Sequence, residues 1–314
     1  MMLDPEISEL LPALNSAFPR VETMTGPQAR AAIRARLQIP AEPEPVADVA
    51  DRAVPGVNGD IGVRIYWPRD ESVDRPPVVI FAHGGGFVFC DLDTHDGICR
   101  SMANGVGAVV VSVDYRLAPE APWPAAAEDM YAATAWVAEN AKLLGADPTR
   151  LIVAGDSAGG NLAAVTAVLA KDRRGPEITG QLLLYPVIAP DFTTASYREF
   201  GNDFYNTREA MQWYWDQYVP APADRTHPYA APLGADLTGL PPAIVVTAGC
   251  DPLHSEGETY ANSLSLAGVP TMYRSYAGAI HGFMTMSSLR LARQARKQAW
   301  ADVTNLLASP AVSR

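Results

Sequence analysis

A chain of 314 residues that is 48% hydrophobic and 19% charged can bury a large core, as two modest domains or one large α/β domain, and lacks the composition of a disordered segment. Its formal net charge of -11 argues against nucleic acid or an anionic membrane as the main partner, because both require a positive footprint. The opening MMLDPEISELLPALNSAFPR lacks a basic stretch followed by a continuous apolar one, and no other segment is long and apolar enough to cross a bilayer, so a soluble cytoplasmic protein is expected.

Residues 1 to about 40 carry patchy helical patterns such as ISELLPALNSAF, and AEPEPVAD then reads as an extended surface linker. Residues 1–50 are accordingly an N-terminal helical segment with its linker, and residues 51–314 the main domain. In DIGVRIYWP, Ile61, Val63, Ile65 and Trp67 alternate with other residues, as in an edge or outer strand with one covered face. The runs PPVVIFA, GAVVVSVDY, RLIVAG, GQLLLYP, PPAIVVTAG and TMYRSY follow, rich in branched residues without clean alternation, as parallel strands covered on both faces require. Between them, Met130, Ala133, Trp136, Val137 and Leu144 fall near one helical face, and SEGETYANSLSLAG has helix composition with a terminal glycine. Residues 187–240 differ in texture. Thr207 is placed to cap a helix carrying Met211, Tyr214 and Tyr218 on one side, and PAPADRTHPYAAPLG follows. This segment is either a long crossover packed on the sheet or a cap over a pocket at the strand ends, and the chemistry below favours the cap.

The first of the parallel runs leaves through FAHGGGFVFCDLDTHD, Phe81 to Asp96. Three consecutive glycines are entropically costly, and they either make a tight turn or present backbone N–H groups to a negative charge. The third run leads into Gly155, Asp156, Ser157, Ala158 and Gly159, a G-x-S-x-G between strand and helix. A serine there stands clear of the sheet beside the positive end of the helix, although an ordinary capping serine is the plainer alternative. Neither glycine cluster has the spacing of a nucleotide-binding loop. Cys90, Cys99 and Cys250 lack the CxxC of a zinc or redox site and read as buried free thiols; no metal or organic cofactor is expected.

A neutral hydroxyl needs a base that accepts its proton near neutral pH, which points to histidine. The chain offers His83, His95, His227, His254 and His281. In the strand-turn-helix hydrolase order, the acid follows the serine and the histidine comes last. Asp251 follows AIVVTAGC directly and His281 lies in AGAIHGF. Taken singly, these are a turn aspartate and a loop histidine; in order with Ser157 they form a triad. His254, three positions beyond Asp251, is badly placed to bridge that acid and the serine. Asp224 and Asp236 follow no buried strand and are weaker acids.

These residues resemble the hormone-sensitive-lipase-like family of α/β-hydrolase carboxylesterases, many bacterial members of which act on short-chain esters. The resemblance spans about residues 60–290, through HGGGF at His83, DTHD at Asp93, DYRLAPE at Asp114, GDSAGGN at Gly155, DPL at Asp251 and HGF at His281. It implies an α/β-hydrolase fold: an eight-stranded, mostly parallel sheet with one antiparallel strand, helices on both faces, and a helical cap made by the N-terminus and the insertion at about 187–240. It matches Ser157, Asp251 and His281 to nucleophile, acid and base, and the N–H groups of Gly85, Gly86 and Ala158 to the oxyanion hole, with Gly84 as a loop support that could share that role. Val88 to Leu92, and His254 with Ser255, depart from the usual pattern, which touches the acyl pocket and the acid loop rather than the triad. Asp156 belongs to the GDSAG-type variant, as a hydrogen-bonding support or a turn residue. His83 reads as an organiser of the glycine loop, not as the base.

Phe87, Phe89, Phe204, Tyr205, Met211 and Tyr214, with Trp213 and Trp215 near them, line a substrate pocket or pack the cap. A covered pocket favours small esters over long triacylglycerols. The resemblance also implies a homodimer, for which the strand edge near residues 271–276 is the expected interface. The expected function is thus a serine carboxylesterase for short-chain esters, working through an acyl-enzyme. An amidase or lactonase with the same triad is the enzymatic alternative, and a noncatalytic binding protein on a hydrolase scaffold the other.

Overall fold

A computed structural model of the chain describes residues 2–38, 42–70 and 74–308; Ala41, the first residue of the expected linker, lies outside the described residues. The chain begins with α1 (Pro5–Ala17) and α2 (Gly26–Arg34), whose first turns are capped by the side chains of Asp4 and Thr25. The hairpin of β1 (Asp48–Gly56) and β2 (Gly59–Trp67) follows. Strands and helices then alternate through β3 (Val78–Ala82), α3 (Asp96–Val106), β4 (Val109–Asp114), α4 (Ala125–Asn140), β5 (Leu151–Asp156), α5 (Ala158–Asp172) and β6 (Gly180–Leu184). A long excursion carries α6 (Ala195–Phe200) and α7 (Arg208–Tyr218), before β7 (Ala243–Cys250), α8 (His254–Leu266), β8 (Thr271–Ile280) and α9 (Arg290–Ala308) complete the chain.

The sheet order is β1-β2-β4-β3-β5-β6-β7-β8. Among the described residues only β2 runs against its neighbours, and the other pairings are parallel. Successive strand residues point to opposite faces. On one face Ile80, Val111, Val153 and Val245 pack with Met130 and Val137 of α4, Leu162 of α5 and Leu264 of α8. On the other, Phe81, Val110, Ile152 and Val246 pack with Met102 of α3 and Ala295 and Trp300 of α9. Coverage on both sides is the physical reason for the unbroken apolar runs.

Two readings of the sequence need correction here. The DIGVRIYW strand is an outer strand but not the edge, lying one place in with β1 outside it, and its second face is partly covered: Tyr66 is fully buried, Gly62 and Arg64 are half-buried and Asp60 is exposed. The division after residue 50 falls inside β1, so the sheet begins at Asp48. That strand left no apolar alternation to read, because Val54 is its one buried residue.

The excursion between β6 and β7 forms as its caps dictate. Thr207 accepts the Ala210 N–H, and Met211, Tyr214 and Tyr218 are the buried side of α7. The N-terminal helices meet this excursion: Asn15 donates to Asp203 O at 2.7 Å and accepts from Tyr205 N–H at 2.9 Å. No helix among the described residues is long and apolar enough to cross a membrane.

Candidate active site

Because β5 ends at Asp156 and α5 begins at Ala158, Ser157 alone turns the chain, at φ 56° and ψ -117°. Non-glycine residues rarely hold this conformation, and it persists where neighbours impose it. Ser157 N–H donates to Leu184 O at 2.8 Å, while its carbonyl accepts from Asn161 and Val187 N–H, both at 3.1 Å. The flanking glycines are there because of close backbone approach. A Cβ on Gly155 would lie 2.2 Å from Gly159 O, and one on Gly159 would lie 1.9 Å from Ala82 O. Backbone cannot rotate out of the way as a side chain can. Gly159→Ala is therefore expected to cost about 3 kcal/mol of stability or to prevent folding. Denaturant unfolding measures this, and a variant as stable as its parent would refute the close-approach argument.

Parallel strands bring their carboxyl ends to one edge of a sheet, and loops there can converge. Asp251 follows β7 and His281 follows β8. His281 Nε2 lies 2.8 Å from Ser157 Oγ, and His281 Nδ1 lies 2.7 Å from Asp251 Oδ2. The fully buried Asp251 is oriented by its other oxygen, which accepts Leu253 N–H at 3.0 Å. With Nδ1–H given to the carboxylate, the Nε2 lone pair faces the serine hydroxyl, the tautomer a general base needs. His254 is turned instead to Ser275 Oγ at 3.1 Å, and Asp236 pairs with Lys171 at 3.3 Å, so neither rival enters the cluster. Asp224 lies exposed in a short 3₁₀ turn, Pro222–Thr226.

The glycine loop leaves β3 beside this cluster. Gly85 and Gly86 have φ of 117° and 59°, and a Cβ on Gly86 would meet the Tyr214 ring at 2.4 Å. Gly85 O accepts N–H from both Val88 and Phe89 at 3.0 Å. Among the described residues nothing accepts the N–H of Gly85, Gly86 or Ala158. Gly84 differs: its N–H is committed to Asp156 Oδ1 at 2.8 Å, which corrects the reading that it could share an oxyanion role.

Asp156 is thus a support and not merely a turn residue. His95 Nε2 lies 3.2 Å from the same oxygen. Burial by itself raises the Asp156 carboxyl, but the pull and hydrogen bond of His95, with the Gly84 N–H, outweigh it and leave the group below its ordinary value. His83 holds the loop from within. Its Nδ1–H donates to Gly84 O at 2.7 Å, and its ring stacks on Tyr115, whose hydroxyl donates to His83 O at 2.8 Å. Burial, reinforced by His95, pushes the His83 imidazole down to about 4, so it is neutral at neutral pH.

The six candidate lining residues divide. Phe87 and Met211 are buried packing residues, Phe87 stacking on Tyr218 at 3.7 Å between ring centroids. Phe89 meets Tyr214 edge-on at 5.6 Å beside Gly86. Tyr205 lies farther out, edge-on to Phe18 at 5.0 Å, and Phe204 packs on Phe200 at the same separation. Trp215 is fully buried and Trp213 half-buried. Sequence patterns gave no sign of Phe18, which joins Tyr205 to Phe89 from the N-terminal segment, because its partners lie far along the chain.

A family profile described as alpha/beta hydrolase fold matches residues 79–285. Carboxylesterase NlhH of Mycobacterium tuberculosis is 43% identical over 292 residues, 90% of each chain. Ethyl acetate hydrolase of Pseudomonas putida is 36% identical over 251 residues, 79% of this chain and 78% of its own. The solved structure of an ester-hydrolase from the metagenome of Lake Arreo matches with a TM-score of 0.93 at 39% identity, covering 98% of this chain and 100% of that one. The chain belongs to the α/β-hydrolase family, in its hormone-sensitive-lipase-like carboxylesterase branch.

Proposed function

We propose that this protein is a serine carboxylesterase that hydrolyses short-chain carboxylic esters through an acyl-enzyme. The observation that carries this is the unbroken hydrogen-bond chain from Asp251 through His281 to Ser157. Ser157 Oγ attacks the ester carbonyl as His281 Nε2 takes its proton, and Asp251 stabilises the resulting imidazolium. The tetrahedral oxyanion is met by the N–H groups of Gly85, Gly86 and Ala158, each contributing about 3 kcal/mol when well aimed. His281 then returns the proton to the departing alcohol oxygen. In the second half it takes a proton from water, whose oxygen attacks the acyl carbon, and delivers it to Ser157 Oγ as the acid leaves.

In this proposal α6, α7 and the N-terminal helices cap the site, and small substrates are supported by the 7% exposure of Ser157, by Tyr214 of α7 packed against Gly86, and by the name of one relative, ethyl acetate hydrolase. The test is a p-nitrophenyl ester series run with chelator present. Acetyl to hexanoyl esters should exceed dodecanoyl and longer ones by about tenfold or more in kcat/KM. Long chains turned over equally well would sink the short-chain reading, and comparable turnover of an anilide or a lactone would favour the alternative hydrolases. The proposal extends to a homodimer through β8, supported by that strand's pairing, among the described residues, with β7 alone and by its exposed Met272. A reducing compartment such as the cytoplasm is supported by three unpaired cysteines, Cys99 and Cys250 buried and Cys90 half-buried.

A further inference from the structure

The N-terminal segment lies outside the region matched by the family profile, yet one of its side chains reaches the glycine loop directly. We propose that Arg30 of α2 is a positioning residue for the oxyanion donors, holding the peptide that carries the Gly86 N–H in its working orientation. The proposal rests on the ester-hydrolase reading above.

The geometry runs through three links. A Cβ on Gly26, at the start of α2, would lie 2.3 Å from Pro119 Cδ, so α2 lies against the segment after β4. One turn later, Arg30 Nε donates to Val88 O at 2.9 Å and Nη2 donates to Ala118 O at 3.2 Å. Glu120 accepts from Nη1 and Nη2 at 3.1 and 2.5 Å. One planar guanidinium therefore ties the glycine loop, through the Val88 carbonyl, to two groups of the segment after β4, the Ala118 carbonyl and the Glu120 carboxylate, a span a point charge cannot reproduce.

Val88, held at its carbonyl by Arg30, gives its N–H to Gly85 O. The Gly85 carbonyl and the Gly86 N–H belong to one planar peptide and point in opposite directions. Fixing the carbonyl on the Val88 and Phe89 N–H groups therefore fixes where the Gly86 N–H aims. The loop does not hold this shape by local preference alone, because Phe87 and Cys90, either side of Val88 and Phe89, have φ of 64° and 68°. Ala118 N–H adds a second tie, to Phe87 O at 2.9 Å, and Arg30 also holds the Ala118 carbonyl. Arg34, one turn beyond, reaches Asp91 and Asp93 instead, from a more exposed position, 53% against 31% for Arg30. Its pairs are more strongly screened and touch no carbonyl of the loop.

The test compares Arg30→Lys and Arg30→Ala with the parent. Active sites are counted by titration with a p-nitrophenyl phosphonate, which forms a tetrahedral adduct on serine, and a short-chain ester is assayed to saturation, with Ser157→Ala as the blank. Lysine retains the charge beside Glu120 but cannot span the two carbonyls. For both variants kcat per titrated site should fall about tenfold or more, KM should stay within about twofold, and the phosphonylation rate should fall in step with kcat. A helix-docking role alone would lower thermal stability or the number of titrated sites and leave kcat per site unchanged, which would overturn the proposal. Should the alanine variant fail to fold, the lysine variant decides by the same measure. A parent without ester hydrolysis would overturn the hydrolase reading and this proposal together, and a Ser157→Ala blank as active as the parent would remove Ser157 as the nucleophile and this proposal with it. An active parent with unimpaired Arg30 variants overturns only the Arg30 assignment.

Discussion

Replacing Ser157 by alanine is expected to lower kcat for a short-chain ester by about 10⁴-fold or more while the fold survives. The hydroxyl sits 2.8 Å from His281 Nε2 and has no part in capping α5. Alanine keeps the Cβ, so the turn at φ 56° carries the same backbone strain, and the N–H to Leu184 O bond is untouched. Residual catalysis over water would then come from the oxyanion donors and substrate binding alone. Circular dichroism and thermal unfolding check the fold, and steady-state assay of the same sample checks the rate. A folded variant with near-parental kcat would remove Ser157 as the nucleophile.

Asp251→Asn should lower kcat by about 10⁴-fold with the fold retained, for a reason of hydrogen-bond polarity rather than shape. The carboxylate accepts at both oxygens, from His281 Nδ1–H at 2.7 Å and from Leu253 N–H at 3.0 Å. An asparagine has one carbonyl oxygen and one NH₂, so it cannot satisfy both donors. If its oxygen stays with the backbone N–H, the NH₂ faces Nδ1 and drives the imidazole proton to Nε2, where it blocks acceptance of the serine proton. If its oxygen turns to His281, the NH₂ opposes Leu253 N–H in a fully buried position, which costs stability. Phosphonate labelling of Ser157 should slow in parallel with kcat. Unchanged labelling and turnover would show that another group orients His281.

Much of the fold was legible from the chain because its signals are local or periodic. The runs around Ile80, Val111, Val153 and Val245 announce buried parallel strands, since both of their faces are covered. Thr207 announces α7 by the hydrogen bond that it makes three residues ahead. The strand β1 escaped notice because it lies at the sheet edge with a single buried side chain, and the long α9 because the resemblance ends near its start. The candidate triad was legible because its three residues each come directly after a strand, and parallel strands deliver their C-terminal loops to one edge.

The sequence alone determined the chemistry on offer: a serine on a strained turn between small residues, an acid and a histidine after later strands, and a glycine loop able to expose N–H groups. Tertiary structure decided which of these groups are occupied and by what. Gly84 proved to be bound to Asp156, Gly85 and Gly86 kept their N–H groups available, and His83 was neutralised by burial. It also joined Asn15, Phe18 and Arg30 to partners between 58 and 190 residues away. The physical reason is that a residue's type sets what it can donate or accept, whereas burial and partners are set by chain segments that only folding brings together.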